Sequence, residues 1–187
     1  DKGKDFHGGY AFMSQGPLPV DHAKSLVSDT GMFGMELRQR MALYNHMAGL
    51  KIVGETDARA DNRIQLSDEV DEFGIPLARA TYAYSDNDKR LYEHSLRFMR
   101  DMLEAAGASD MTETSSTAHL MGGCRMGTNP SDSVTNADGR TWDIRNLWIC
   151  DGSLFPTSGG VNPSLTIYAL ACRMGDRIAT MARSGEL

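Results

Sequence analysis

The chain has 187 residues, 41% of them hydrophobic and 24% charged, with a net charge of −6 and a pI of about 5.3. That length suffices for one substantial core or two small lobes, and the acidic balance argues against nucleic acid or an anionic membrane surface as partner, because both reward a basic face. No apolar run approaches the ~20 residues of a membrane span, and the three cysteines (Cys124, Cys150, Cys172) include no CxxC pair, so no metal site is expected.

The N-terminus, Asp1-Lys2-Gly3-Lys4-Asp5, has no starting Met and no apolar signal core, and is expected to be a cut end. An odd number of thiols suits a reducing compartment and is also tolerated in a periplasm, so the compartment stays open. Residues 1–28 are rich in Gly and Pro and weakly periodic; they are expected to be loop, with a short strand around Gly9-Tyr10-Ala11-Phe12. From Met32 to Ala48 the residues Met35, Leu37, Met41, Leu43, Tyr44 and Met47 return every three or four positions, which predicts a helix stopped at Gly49. Leu50–Glu55 predicts a strand. Asn62–Ser67 alternates polar and apolar, Asp68–Ile75 holds turn formers, and Leu77–Tyr84 alternates again, which predicts an antiparallel pair.

Ser85 or Asp86 caps a long helix running to about Ala106, with Leu91, His94, Ser95, Phe98, Met102 and Leu103 on its inner stripe and Gly107 as its stop. Residues 109–146 are mostly loop. Leu147-Trp148-Ile149-Cys150 is a continuous apolar run, which suits a buried strand ending at Asp151. A last helix is expected from Asn162, with Pro163 at its first helical position, to about Arg183.

The chemistry concentrates in the last seventy residues. His119 stands before a glycine-rich run, Gly122-Gly123-Cys124-Arg125-Met126-Gly127. Glycines there permit close backbone approach or positive φ, and imidazole is a suitable base for an alcohol proton. The plain alternative is a hydrogen-bonding loop histidine. Asn162 has two readings as well: an N-cap whose oxygen accepts a backbone N–H, or a group that binds a substrate oxygen. The helix behind it would favour an anion, since its first N–H groups are unpaired and its dipole end is positive. Asp151 either caps a turn or meets a ligand at the carboxyl end of a strand. Arg125 reads as a structural loop arginine, and Cys124 as a small buried residue; a thiol hydrolase built on Cys124 and His119, five residues apart in one loop, is a rival of unusual geometry.

The string His119–Gly127, followed by Asp151-Gly152-Ser153-Leu154-Phe155-Pro156-Thr157-Ser158-Gly159-Gly160-Val161-Asn162-Pro163-Ser164-Leu165-Thr166, resembles the C-terminal signature of the glucose–methanol–choline (GMC) oxidoreductases. Asn62–Ser67, Asp71, Gly74-Ile75-Pro76 and the Tyr82–Tyr84 strand are similar to the substrate-domain sheet of that family, so the resemblance covers residues 50–183. It implies the following roles. His119 takes the alcohol proton, and Asn162, at a position that is His or Asn in the family, bonds the substrate oxygen. Asn162, Pro163 and Ser164 sit against the flavin of FAD, Asp151 and Gly152 lie along its ribityl-diphosphate, and hydride passes to flavin N5. The wording looks most like bacterial sugar and polyol dehydrogenases.

One departure is large: the family begins with a dinucleotide fold carrying GxGxxG, and no GxGxxG occurs here. The expected fold is therefore α+β, an antiparallel substrate-domain sheet from residues 50–84 with flanking helices, plus the C-terminal strand and helix of the flavin domain, with the N-terminal Rossmann lobe absent. Residues 1–146 would be substrate-domain part including the His119 loop, and 147–187 the strand–helix segment of the FAD domain. The expected function is the C-terminal part of an FAD-dependent dehydrogenase of an alcohol, sugar or polyol. The isolated chain is expected to be inactive, not to bind FAD, to need the missing FAD-binding lobe as partner, and to self-associate through the surface that lobe leaves bare. The alternative is a non-catalytic binding or assembly module that retains the fold.

Overall fold

A computed structural model of the chain describes residues 4–113 and 117–187. The elements run β1 (Tyr10–Ser14), α1 (Pro19–Thr30), α2 (Gly34–Ala42), β2 (Leu50–Gly54), β3 (Arg63–Val70), β4 (Pro76–Thr81), α3 (Asp86–Ala105) and α4 (Ser164–Ser184), with short 3-10 turns at Tyr44–His46 and Gly152–Leu154. The architecture is α+β, as expected. Two compact units are formed, one from Ala11–Val53 and one from the residues up to Tyr10 together with Gly54–Leu187.

In the smaller unit β1 pairs with β2, and the Gln15 N–H donates to the Gly49 carbonyl at 2.8 Å just beyond the strand ends. The connecting helices differ from expectation. α1 lies where loop was expected; its signals were Pro19 at the first helical position and Gly31 in the left-handed conformation just past its end, a pairing typical of helix limits. Its apolar face is too thin to announce itself by periodicity. The helix expected over 32–48 closes at Ala42 and tightens into a 3-10 turn, where the Leu43 N–H bonds Arg40 and the His46 N–H bonds Leu43. Asn45 and His46 are weak helix formers, and i→i+3 bonds close the end instead.

In the larger unit β3 and β4 form the expected antiparallel pair, with Ile64 opposite Ala80 and Leu66 opposite Ala78, and a register shift before Val70–Pro76. The antiparallel strands therefore come as two separate pairs, because β2 is taken by β1. α3 is capped by Ser85, one of the two residues expected there, and the cap is a capping box: the Asp88 N–H donates to Ser85 Oγ at 3.0 Å and the Ser85 N–H to Asp88 Oδ2 at 2.8 Å. Leu91 and Ser95 on its inner stripe are buried, and His94 Nδ1 meets the Tyr10 hydroxyl at 2.9 Å.

Leu154 and, on α4, Met174 and Met181 are buried, and Met174 packs against Gly139. The run Leu147–Cys150 is not a buried strand. It forms one edge of a tight hairpin in which the Thr141 N–H bonds Leu147 and the Ile149 N–H bonds Gly139, with Arg140 opposite Trp148. A fully buried strand needs neighbours on both edges, and among the described residues this one has a neighbour on one edge only. No helix of the described residues is long and apolar enough to cross a membrane.

Candidate active site

The glycine loop after His119 is laced to the turn that follows Asp151. The N–H groups of Gly122, Cys124 and Met126 donate in alternation to the carbonyls of Gly152, Ser153 and Leu154, at 3.4, 2.9 and 2.8 Å. On its other side the Gly127 N–H reaches Thr135 and the Val134 N–H reaches Arg125. Gly122 adopts a φ of 85° with the Phe155 carbonyl close by, so the lacing depends on a residue without a Cβ. Arg125 is spent on the Asp132 carbonyl at 2.6 Å, a structural role, and Cys124 is half-buried and free.

His119 itself has a φ of 57°. A left-handed backbone costs a non-glycine residue roughly 1–2 kcal/mol, and such strain persists where the surroundings over-determine it. The ring is half-buried and makes no hydrogen bond among the described residues.

Asp151 caps the 3-10 turn. Its Oδ1 accepts the Ser153 hydroxyl at 2.5 Å and the Ser153 N–H at 2.8 Å. These two bonds, the hydroxyl first, hold its carboxyl below the usual aspartate range. The next residue marks where the elements meet: the position of a Cβ on Gly152 lies 3.3 Å from Ile167 Cδ1 on α4 and 3.6 Å from the Leu120 carbonyl. Thus the neighbour of His119, the Asp151 turn and the first turn of α4 share one locality.

α4 starts at Ser164, not Asn162. The Ile167 N–H donates to the Pro163 carbonyl at 3.0 Å, which makes Pro163 the N-cap, and no side chain caps the helix. The first intrahelical acceptor is Pro163, so Asn162 falls outside the helix and its amide is not used as a cap. Asn162 is exposed and, like His119, makes no hydrogen bond among the described residues. No hydrogen bond joins the two. The first N–H groups of α4, from Ser164 onward, have no intrahelical acceptor.

Residues 58–171 match the family model of the GMC oxidoreductases. The chain belongs to the GMC oxidoreductase family. Curated relatives agree. It is 43% identical over 117 residues to a 2-methyl-1,2-propanediol dehydrogenase of Mycolicibacterium austroafricanum, covering 60% of this chain and 21% of that protein. It is 35% identical over 124 residues to a paromamine 6'-oxidase of Streptomyces fradiae (64% and 23%). It is 28% identical over 185 residues to a gluconate 2-dehydrogenase flavoprotein of Pantoea cypripedii (88% and 30%). The chain thus spans under a third of the length of these relatives. The family is flavin-dependent and its members here are alcohol and sugar oxidoreductases, in line with the expectation from the two C-terminal motifs.

Sequence reasoning missed Ser158 and Thr56, whose side chains and backbone bond across 102 positions. No local signal marks such a pair; only the fold brings them together.

Proposed function

We propose that this chain carries the proton-handling and substrate-orienting half of an FAD-dependent oxidation of a CH–OH group on an alcohol, sugar or polyol. Two observations support the reading: a strained His119 on a loop laced to the Asp151 turn, and an Asn162 amide just before α4 that the helix does not use as a cap. His119 accepts the hydroxyl proton at a ring nitrogen. Asn162 donates from Nδ2 to the substrate oxygen and holds the reacting C–H in one orientation. The relatives act on hydroxyl groups of diols, aminoglycosides and sugar acids by their names, which supports that substrate class.

FAD, when bound, supplies the hydride acceptor. The residues present fit the ring end of that cofactor: Pro163 has no N–H to oppose, and the unpaired N–H groups starting at Ser164 favour negative charge. Asp151 and Gly152 border the site through the backbone, since the Asp151 carboxylate is engaged by Ser153. Nothing in the sequence matches a GxGxxG cradle. The adenosine-diphosphate end therefore belongs to a lobe outside these residues, residues 147–187 pack with that lobe as part of the flavin domain, and the isolated 187 residues neither bind FAD nor turn over.

The test uses the flavin-loaded enzyme that contains this segment. His119→Gln is expected to lower kcat by about 10²–10⁴-fold with flavin still bound, the range of a lost general base. A His119→Gln enzyme that keeps kcat within threefold overturns the assignment and favours a binding or assembly role. Separately, titrating the isolated chain with FAD is expected to leave flavin fluorescence unchanged; tight binding would refute the missing-lobe part alone.

A further inference from the structure

Only three residues, Gly159-Gly160-Val161, separate Asn162 from Ser158, and that segment has little of its own to hold it. Gly159 has open space around it. Yet an amide that orients a substrate must stay within a fraction of an ångström of its place. The fold supplies an anchor. Ser158 Oγ accepts the Thr56 N–H at 2.7 Å and donates to the Thr56 carbonyl at 3.0 Å, with the Thr56 hydroxyl a further 3.3 Å partner. One hydroxyl thus closes both backbone groups of a residue 102 positions away.

Thr56 is itself held on both sides. The Glu55 N–H bonds the Gly9 carbonyl at 3.0 Å. The Asp57 N–H bonds Asp88 Oδ1 at 2.9 Å, and the Asp57 carboxylate accepts the Ser85 hydroxyl at 2.7 Å and meets His7 Nε2 at 2.8 Å. The anchor is therefore the capped start of α3. A second contact points the same way: the Cβ position of Gly160 lies 3.2 Å from the Gly9 carbonyl oxygen, so the two backbones lie against each other. On the far side of Asn162, α4 buries Met174, which packs against Gly139, and Met181.

We propose that Ser158 and Thr56 form a hydroxyl latch that positions Asn162, which makes them positioning residues for the CH–OH chemistry. The latch rests on the role given to Asn162 above. It transmits the rigidity of the α3 start to a loop that two glycines would otherwise leave loose.

The test has two arms. In the 187-residue chain, amide exchange and backbone relaxation are compared for wild type, Ser158→Ala and Ser158→Thr by NMR. In Ser158→Ala the Thr56 amide is expected to exchange about fivefold faster or more, and Asn162 to gain motion, while the Leu91 and Ser95 amides are unchanged. Ser158→Thr, which keeps the hydroxyl, restores both. Thr56→Val, which keeps both backbone bonds to Ser158 and removes the 3.3 Å hydroxyl contact, gives a smaller change of the same kind. Unchanged Thr56 exchange in Ser158→Ala, or an equal rise at Leu91, overturns the latch. In the flavin-loaded enzyme Ser158→Ala is expected to lower kcat about tenfold with KM within about twofold, again rescued by Thr. A loosened Asn162 with unchanged kcat refutes the positioning role. If Asn162→Ala leaves turnover intact, the function assigned to Asn162 falls, while the NMR arm still decides whether the latch exists.

Discussion

Replacing Gly139 with alanine tests the packing that carries the Asp151 turn. Gly139 closes the 136–139 turn and pairs with Ile149 at the open end of the 139–149 hairpin, with a φ of 75°. Its N–H bonds the Asn136 carbonyl at 3.0 Å and its carbonyl takes the Ile149 N–H at 2.9 Å. A Cβ there lies 2.6 Å from the Ile149 carbonyl oxygen, 2.7 Å from Met174 Sδ and 2.8 Å from Met174 Cε. The oxygen is backbone, and Met174 is 1% exposed, so neither has room to retreat. The left-handed backbone costs alanine roughly 1–2 kcal/mol, and forcing extra volume into a packed site costs about 1–3 kcal/mol more. A total of about 2–5 kcal/mol is a large part of the ~5–15 kcal/mol that holds an ordinary domain.

Gly74→Ala isolates the first contribution, because Gly74 has a φ of 76° with nothing within 4 Å of its Cβ position. Both replacements restrict the unfolded chain equally, so that effect cancels between them. Urea unfolding followed by tryptophan fluorescence reads the outcome locally, since the two tryptophans, Trp142 and Trp148, both lie in this hairpin. Gly139→Ala is expected to lose at least about 1 kcal/mol more than Gly74→Ala. Equal losses would show that Met174 and the Ile149 carbonyl do not close on Gly139, and the reasoning would fail.

Three further outcomes follow from single sites. Ser85→Ala removes the N-cap of α3 and a bond to Asp57, and is expected to cost about 1–2 kcal/mol in the same unfolding experiment; Asp86→Ala, on an exposed side chain, serves as the near-neutral comparison. The Asp57 carboxyl, held down mainly by the Ser85 hydroxyl and then by His7, and the Asp151 carboxyl, held down by Ser153, both sit below the usual aspartate value of 3.8. A carboxylate depressed in the folded state stabilises fully above its unfolded value and loses that contribution as pH falls through the folded one. Stability measured against pH should therefore fall below about pH 4 in wild type and fall less steeply in Asp57→Asn and Asp151→Asn; parallel curves would contradict the assignment. Leu165, 82% exposed, and Tyr168, 69% exposed, give the start of α4 an apolar face. Light scattering of the isolated chain should show mass rising with concentration, and Leu165→Lys should suppress it; a wild-type monomer at every concentration would count against self-association through this face.

Local chemistry was legible in the chain wherever neighbours in sequence are also neighbours in space. The start of α3 at Ser85 or Asp86, the β3–β4 pair and the His119 and Asp151–Thr166 motifs are all of that kind, and the motifs were specific enough to indicate the family. α1 was lost because its polar stripe is wide and its apolar one thin, although Pro19 and Gly31 marked its ends. The Leu147–Cys150 run misled because hydrophobicity reports a preference for burial, and burial on both edges needs strands that lie elsewhere.

Asn162 shows the division most clearly. From its sequence alone, Asn-Pro at a helix start is ambiguous between a cap and a free amide, because both need the same residues. Which one is made depends on where the first i→i−4 bond closes, and the fold closes it on Pro163. The sequence by itself determined the chemistry available, an imidazole and an amide near a helix start, and the family to which they belong. Tertiary structure decided where they stand: the lacing of the His119 loop to the Asp151 turn and the Ser158–Thr56 bonds join residues about thirty and one hundred positions apart. Bonds that close loops of that length have no signature in any local window, because the group that accepts from each donor is chosen by the packing of the whole unit.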